Sequence, residues 1–130
     1  QGLYQWFVAK GTIQSITEQL YDTKQFLKAD QEYFSDLIQG MLTNLTKLEK
    51  HIQPYLDRPF KELSPIEASI LLLSTYEFIN HLETPYKAII NEAIELAKTY
   101  GGTDGHKYIN GVLDKLAKKL REEETASPIQ

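Results

Sequence analysis

A chain of 130 residues with 42% apolar content can build one domain around a real core and is short for two. It contains no cysteine, which excludes disulfides and thiolate metal sites and is compatible with a reducing compartment. A net charge of -4 argues against a surface that grips nucleic acid on every side.

No apolar run approaches the roughly 20 residues that span a bilayer. The longest lies around Ile70-Leu71-Leu72-Leu73 and is soon interrupted by Ser74 and Glu77. No signal peptide is read, and no membrane partner is expected. The chain begins Gln1-Gly2-Leu3 without methionine, so the native start is expected upstream. Charge is uneven. Residues 61–84 carry Lys61 against Glu62, Glu67, Glu77 and Glu83. Residues 85–120 carry Lys87, Lys98, Lys107, Lys115, Lys118 and Lys119 against Glu92, Glu95, Asp104 and Asp114. The C-terminal region is locally basic within an acidic protein.

In chain order, Leu3 to Val8 reads as the end of a truncated helix, punctuated by Gly11. Ile13, Ile16, Leu20 and Phe26-Leu27 predict a second helix. Asp30 is a candidate N-cap for a third. Its apolar face runs Phe34, Leu37-Ile38, Met41-Leu42, Leu45, Leu48 and Ile52, as one helix ending near His51–Gln53 before Pro54. Ser64-Pro65-Ile66-Glu67 carries a capping box: serine at the cap, proline at the first helical position, and glutamate returning to the cap N–H. The helix that follows, to about His81, is apolar on more than one face and reads as the buried centre. Thr84-Pro85 repeats the cap-then-proline start. The next helix is stopped by Gly101-Gly102. A last one begins near Asp104 and carries Ile109, Val112-Leu113, Leu116 and Leu120. Arg121 to Gln130 reads as a frayed, flexible tail. No strand and no internal repeat is predicted. The expectation is all-α: one compact bundle over residues 1–120, then a tail over 121–130.

Catalytic chemistry is not visible. His51, His81 and His106 are far apart, and none sits in a metal-binding pattern, so they read as ordinary surface or helix-end histidines. Glu92 and Glu95 read as a solvated helix face. Gly101-Gly102-Thr103-Asp104-Gly105-His106-Lys107 resembles a phosphate loop only faintly. His106 separates Gly105 from Lys107, and a helix rather than a strand precedes it. The free N–H groups of such a helix start still favour an anion. No catalytic residue, metal, cofactor or small-molecule substrate is therefore expected.

The stretch Pro85-Tyr86-Lys87-Ala88-Ile89-Ile90-Asn91-Glu92-Ala93-Ile94-Glu95-Leu96-Ala97-Lys98 resembles the signature of the NusB family. The likeness continues through Thr99-Tyr100-Gly101 and Asp104-Gly105-His106-Lys107-Tyr108-Ile109-Asn110-Gly111-Val112-Leu113-Asp114-Lys115-Leu116-Ala117. Leu3-Tyr4-Gln5-Trp6, Tyr33-Phe34, Leu37-Ile38-Gln39-Gly40 and Tyr76-Glu77 support it. The resemblance implies about seven helices and a cytoplasmic, non-enzymatic transcription antitermination factor. It implies a protein partner, NusE, which is a small-subunit ribosomal protein. It also implies single-stranded boxA RNA and the RNA polymerase antitermination complex. Two alternatives stand beside this reading: a helical protein-interaction scaffold without RNA, and the RNA-targeting domain of an rRNA methyltransferase.

The resemblance also nominates residues. Tyr108 stands where the family presents an aromatic to RNA; it could be a stacking platform or a boundary aromatic packed on the preceding helix. Tyr4 is the better N-terminal surface candidate, with Trp6 read as core. Lys87, Lys107, Lys115 and Lys118 are candidate phosphate contacts. Asn110 and Gly111 read as helix-packing residues, with Asn110 also a candidate to reach RNA. Glu67 has a full local explanation in the capping box, yet the family places a partner contact near it. Gly105 replaces a serine usual in the family, so Asp104 is expected to cap; it joins Glu67 as a candidate partner contact. The family usually carries an arginine-rich segment before Leu3-Tyr4. The residues encoded before Gln1 are therefore expected to be rich in arginine and lysine; a neutral or acidic segment in the native reading frame would remove most of the electrostatic support for RNA binding.

Overall fold

A computed structural model describes residue 11, residues 15 and 16, and residues 28–100 and 105–126. The helix predicted from Thr12 falls mostly outside these residues, as do Tyr4, Trp6, Gly101-Gly102 and Asp104. The described α-helices are α1 (Lys28–Thr43), α2 (Leu45–Ile52), α3 (Pro65–Asn80), α4 (Tyr86–Tyr100), α5 (Gly105–Leu120) and α6 (Glu122–Ala126). Two short 3-10 turns, Gln53–Tyr55 and Phe60–Glu62, join α2 to α3. There is no strand among the described residues, so the all-α expectation holds.

α1 and α2 were expected as one helix capped at Asp30. Asp30 instead lies inside α1, and the chain breaks at Asn44, where φ is -120° and ψ 22°. The side chains supply the cause. Asn44 Nδ2 donates to the Gly40 carbonyl at 2.7 Å, and Thr43 Oγ1 donates to the Gln39 carbonyl. Both compete for acceptors of the helical ladder. The apolar pattern runs through the break, because Leu37, Met41, Leu45, Leu48 and Ile52 are all buried in one cluster.

α3 is the centre. Residues from Ala68 to Tyr76, and Phe78, are all buried, so this helix has no solvent face in its middle. Its N-terminus is closed by the expected capping box: Glu67 N donates to Ser64 Oγ at 3.1 Å, and Ser64 N to Glu67 Oε1 at 3.2 Å. Ser69 Oγ satisfies itself on the Pro65 carbonyl. Gly40 of α1 packs so closely that a Cβ there would lie 1.9 Å from Tyr76 Oη, which explains a glycine in mid-helix despite its lower propensity.

The C-terminus of α3 is closed by Arg121, which the sequence reading placed in a tail. Arg121 is buried, with 5% of its surface exposed. It donates from Nε to the Phe78 carbonyl at 2.7 Å. Its Nη2 donates to the His81 and Glu77 carbonyls, and its Nη1 to the Thr84 carbonyl and to Glu124 Oε1. Residues 122–126 then form α6 rather than fraying. Glu124 Oε2 accepts from Tyr86 N at 2.9 Å, capping α4. Burial opposes ionisation of Glu124, but the Tyr86 N–H and Arg121 outweigh it and hold the carboxyl below its usual range. Thr84 is correspondingly not the cap that the sequence suggested. The Pro85 carbonyl is the first helical acceptor of α4, taking Ala88 N and Ile89 N.

α4 and α5 pack on α3 and most extensively on each other. Tyr86 meets Glu124 just beyond the end of α5, so the two helices run antiparallel. Glu67, in the first turn of α3, lies beside Gly105, the first residue of α5. The N-termini of α3 and α5 therefore share one end of the bundle. Among the described residues no helix is long and apolar enough to cross a membrane.

Loss of the Ser64 cap in Ser64→Ala is expected to cost about 1 kcal/mol of stability in urea unfolding. Arg121→Met, which strips the donors from the far end and removes the cation paired with Glu124, is expected to cost about 3 kcal/mol or more. Equal effects would mean that the two ends of α3 are not held as described.

Candidate RNA-binding site

The shared end of α3 and α5 gathers polar side chains around the connector between the two 3-10 turns. Gln53 fixes that connector from both sides: its Nε2 donates to the Arg58 carbonyl at 3.0 Å, and its Oε1 accepts from Phe60 N at 2.8 Å. Asp57 and Arg58 are thereby presented to Tyr108, in the first turn of α5.

Tyr108 Oη donates to Asp57 Oδ1 at 2.9 Å and accepts from Asp57 N at 3.3 Å. Arg58 pairs with the same carboxylate through both Nε and Nη2, at 2.7 and 3.2 Å. Its guanidinium carbon stands 4.7 Å from the Tyr108 ring centroid, a cation-over-ring contact. The Arg58 and Tyr108 donors hold the Asp57 carboxyl down to about 2. A depressed carboxylate stabilises above its unfolded value and loses that contribution only as pH falls through the folded one. This contact is therefore intact throughout the neutral range. Burial raises the Tyr108 phenol above its usual value, so the ring is neutral and remains a donor.

Tyr108 is a boundary aromatic. It packs against the hydrophobic core, and it is half-buried with one face under a cation whose side chain is 41% exposed. Lys107 is exposed beside it, and Asn110 is exposed less than one turn further along α5. Glu67 is half-buried at the same end. Lys87 is not brought to this group. It lies in the first turn of α4, at the far end of the antiparallel pair, roughly 20 Å away by helix rise. Tyr4 and Asp104 lie outside the described residues. Gly111 does not pack against another helix among the described residues: it is exposed, and a Cβ there would meet none of their atoms within 4 Å.

Sequence reasoning missed Asp57, Arg58 and Gln53. One signal was present: the chain has only two arginines, and Arg58 is the exposed one. Of the histidines, His81 pairs with Asp36 and Glu83, both at 2.9 Å, and its hydrogen bond holds the Glu83 carboxyl below its usual range. His106 turns a buried Nδ1 inward with no partner among the described residues. No group of three or more potential metal ligands occurs among the described residues.

A guanidinium over an aromatic ring is the type of surface on which an unpaired base stacks. Residues 1–118 match the NusB family. The chain is 63% identical to a transcription antitermination protein NusB of Nitrosospira multiformis, over 99% of this chain and 82% of that protein. It is 52% identical to a protein of the same name from Dechloromonas aromatica, over 98% and 78%. In three dimensions it resembles NusB of T. maritima with a TM-score of 0.74, at 26% identity, covering 92% of this chain and 95% of that one.

Proposed function

The chain belongs to the NusB family, and we propose that it is a transcription antitermination factor that binds boxA RNA together with NusE and so joins the antitermination complex on RNA polymerase. The observation that carries the RNA part is the Arg58–Tyr108 pair at the open end of α5. Arg58 covers the ring, so an unpaired base stacks on the outer face of the guanidinium or displaces it to reach the ring. Lys107 adds charge in the same turn. The groups present are a phenol, a guanidinium, an ammonium and the Asp57 carboxylate that holds the first two together.

In this reading Glu67, beside the start of α5, borders the surface offered to NusE. Asp104 precedes it in the same corner of the sequence. Lys87 stands apart from the RNA site and serves at most as a distant phosphate contact. Tyr4 enters from the N-terminal segment.

With NusE present, Tyr108→Ala is expected to weaken boxA RNA binding tenfold or more, since a stacking platform contributes roughly 1–3 kcal/mol per base. Tyr108→Phe keeps the ring and should retain most of the affinity. Arg58→Ala and Lys107→Ala should weaken binding less as salt rises, each lowering the salt slope by about one. RNA affinity, NusE affinity and thermal midpoint are measured on each variant. Equal loss toward both partners with a lowered midpoint would make Tyr108 structural, and unchanged RNA affinity in a stable Tyr108→Ala protein would remove it from the site.

A further inference from the structure

The RNA reading gives a task to Arg58, Lys107 and Tyr108, while Asp57 is an acid set among groups that would attract a polyanion. Asp57 takes the donors that a phosphate would take. Its Oδ1 accepts from Arg58 Nε at 2.7 Å and from Tyr108 Oη at 2.9 Å, and its Oδ2 accepts from Arg58 Nη2 at 3.2 Å. The Nε–Nη2 fork is an edge with which arginine grips a carboxylate or a phosphate through two hydrogen bonds. The carboxylate fills that edge and cancels the charge. The N–H bonds lie in the guanidinium plane, so this grip leaves the two faces open: one stands over the Tyr108 ring, and the other is the outer face on which a base would stack. Gln53 pins the backbone of the connector, and Tyr108 Oη holds the carboxylate, so the pair does not depend on two free side chains alone. Arg58 and Tyr108 keep the carboxyl ionised across the neutral range. With 63% of its side chain exposed, Asp57 is within reach of an arriving strand.

We infer that Asp57 is a specificity-determining residue, which stands in for a phosphate on Arg58 and so turns this end of the protein away from RNA backbone in general and toward a strand that offers a base to stack. The inference rests on the RNA-binding reading and adds to it a residue that opposes binding. A phosphate contact is blind to sequence, and every free cation strengthens it. An unclasped Arg58 would add to that attraction for any strand. Clasped, the pair carries no net charge. A strand must then stack on the guanidinium or displace the carboxylate, and displacement leaves an acid beside the strand's own phosphates. An element that penalises the wrong ligand lowers affinity and raises selectivity.

The test uses the full chain with NusE and compares a single-stranded boxA RNA oligonucleotide with a scrambled strand of the same length and composition. Asp57→Asn keeps the shape of the side chain and removes its charge. It should bind the scrambled strand about fivefold more tightly at low salt, with a salt slope steeper by about one. BoxA affinity should rise by less, because a freed Arg58 gains a phosphate but loses its fixed stacking position, so the preference for boxA falls. Asp57→Glu keeps the charge and should stay near the wild type on both strands. Arg58→Ala added to Asp57→Asn should abolish the gain, since the gain acts through the guanidinium. Weaker binding of both strands by a folded Asp57→Asn protein overturns the inference, by making Asp57 the residue that holds Arg58 in its binding position. Unchanged affinities, or an equal gain on both strands, overturn it too. In each of these cases the RNA reading stands as long as the wild type prefers boxA; if the wild type does not bind boxA RNA, it is the functional reading that fails.

Discussion

A helix buried on every side must have both of its ends closed by polar groups of the protein, and α3 sets that requirement for the whole fold. Water cannot reach its middle turns, where Ile70, Leu71, Leu72, Leu73 and Phe78 are almost wholly enclosed. The unpaired N–H and carbonyl groups at its termini are a liability unless protein satisfies them. The two ends are closed by different means. Ser64 and Glu67 close the N-terminus locally, within four residues of sequence. The C-terminus is closed from a distance by Arg121, whose donors reach three carbonyls of residues 77–81.

That long-range closure positions the rest. Arg121 can reach the end of α3 only if α5 runs alongside it, in the same direction. Glu124, held by Arg121, then caps the start of α4. The consequence is felt at the opposite end. The first turn of α5 is brought beside the capping box and against the connector that Gln53 pins, so Tyr108 meets Asp57 and Arg58 there. Of the chain's two arginines, one is spent on the core and one is left at the surface. The acidic helix α6 lies at the Arg121 end, away from the Tyr108 end.

Much of this was legible from local sequence. The capping box needs only neighbouring residues, and the period of apolar residues gave the burial of α3 and α5. The break at Asn44 was not legible, because the apolar stripe continues across it while two short polar side chains divert the backbone hydrogen bonds. Arg121 was misread because an arginine followed by three glutamates looks solvated in one dimension; its partners lie about 40 residues away. At the site, motif likeness led to Lys107 and Tyr108. Arg58 and Asp57 were hidden because their meaning comes from a contact across 51 residues. Lys87 was grouped with Lys107 by charge, and the antiparallel packing of α4 on α5 separates them.

The central claim is that RNA is held at the shared N-terminal end of α3 and α5. Backbone and side-chain NMR shifts of the NusE-bound protein, followed as boxA RNA is added, test it most directly. The expected result is that the largest changes fall on Asp57, Arg58, Lys107 and Tyr108, while Leu82, Glu83 and Lys87 at the other end stay unperturbed. Changes concentrated around Lys87 and Glu83, with Arg58 and Tyr108 unmoved, would contradict it.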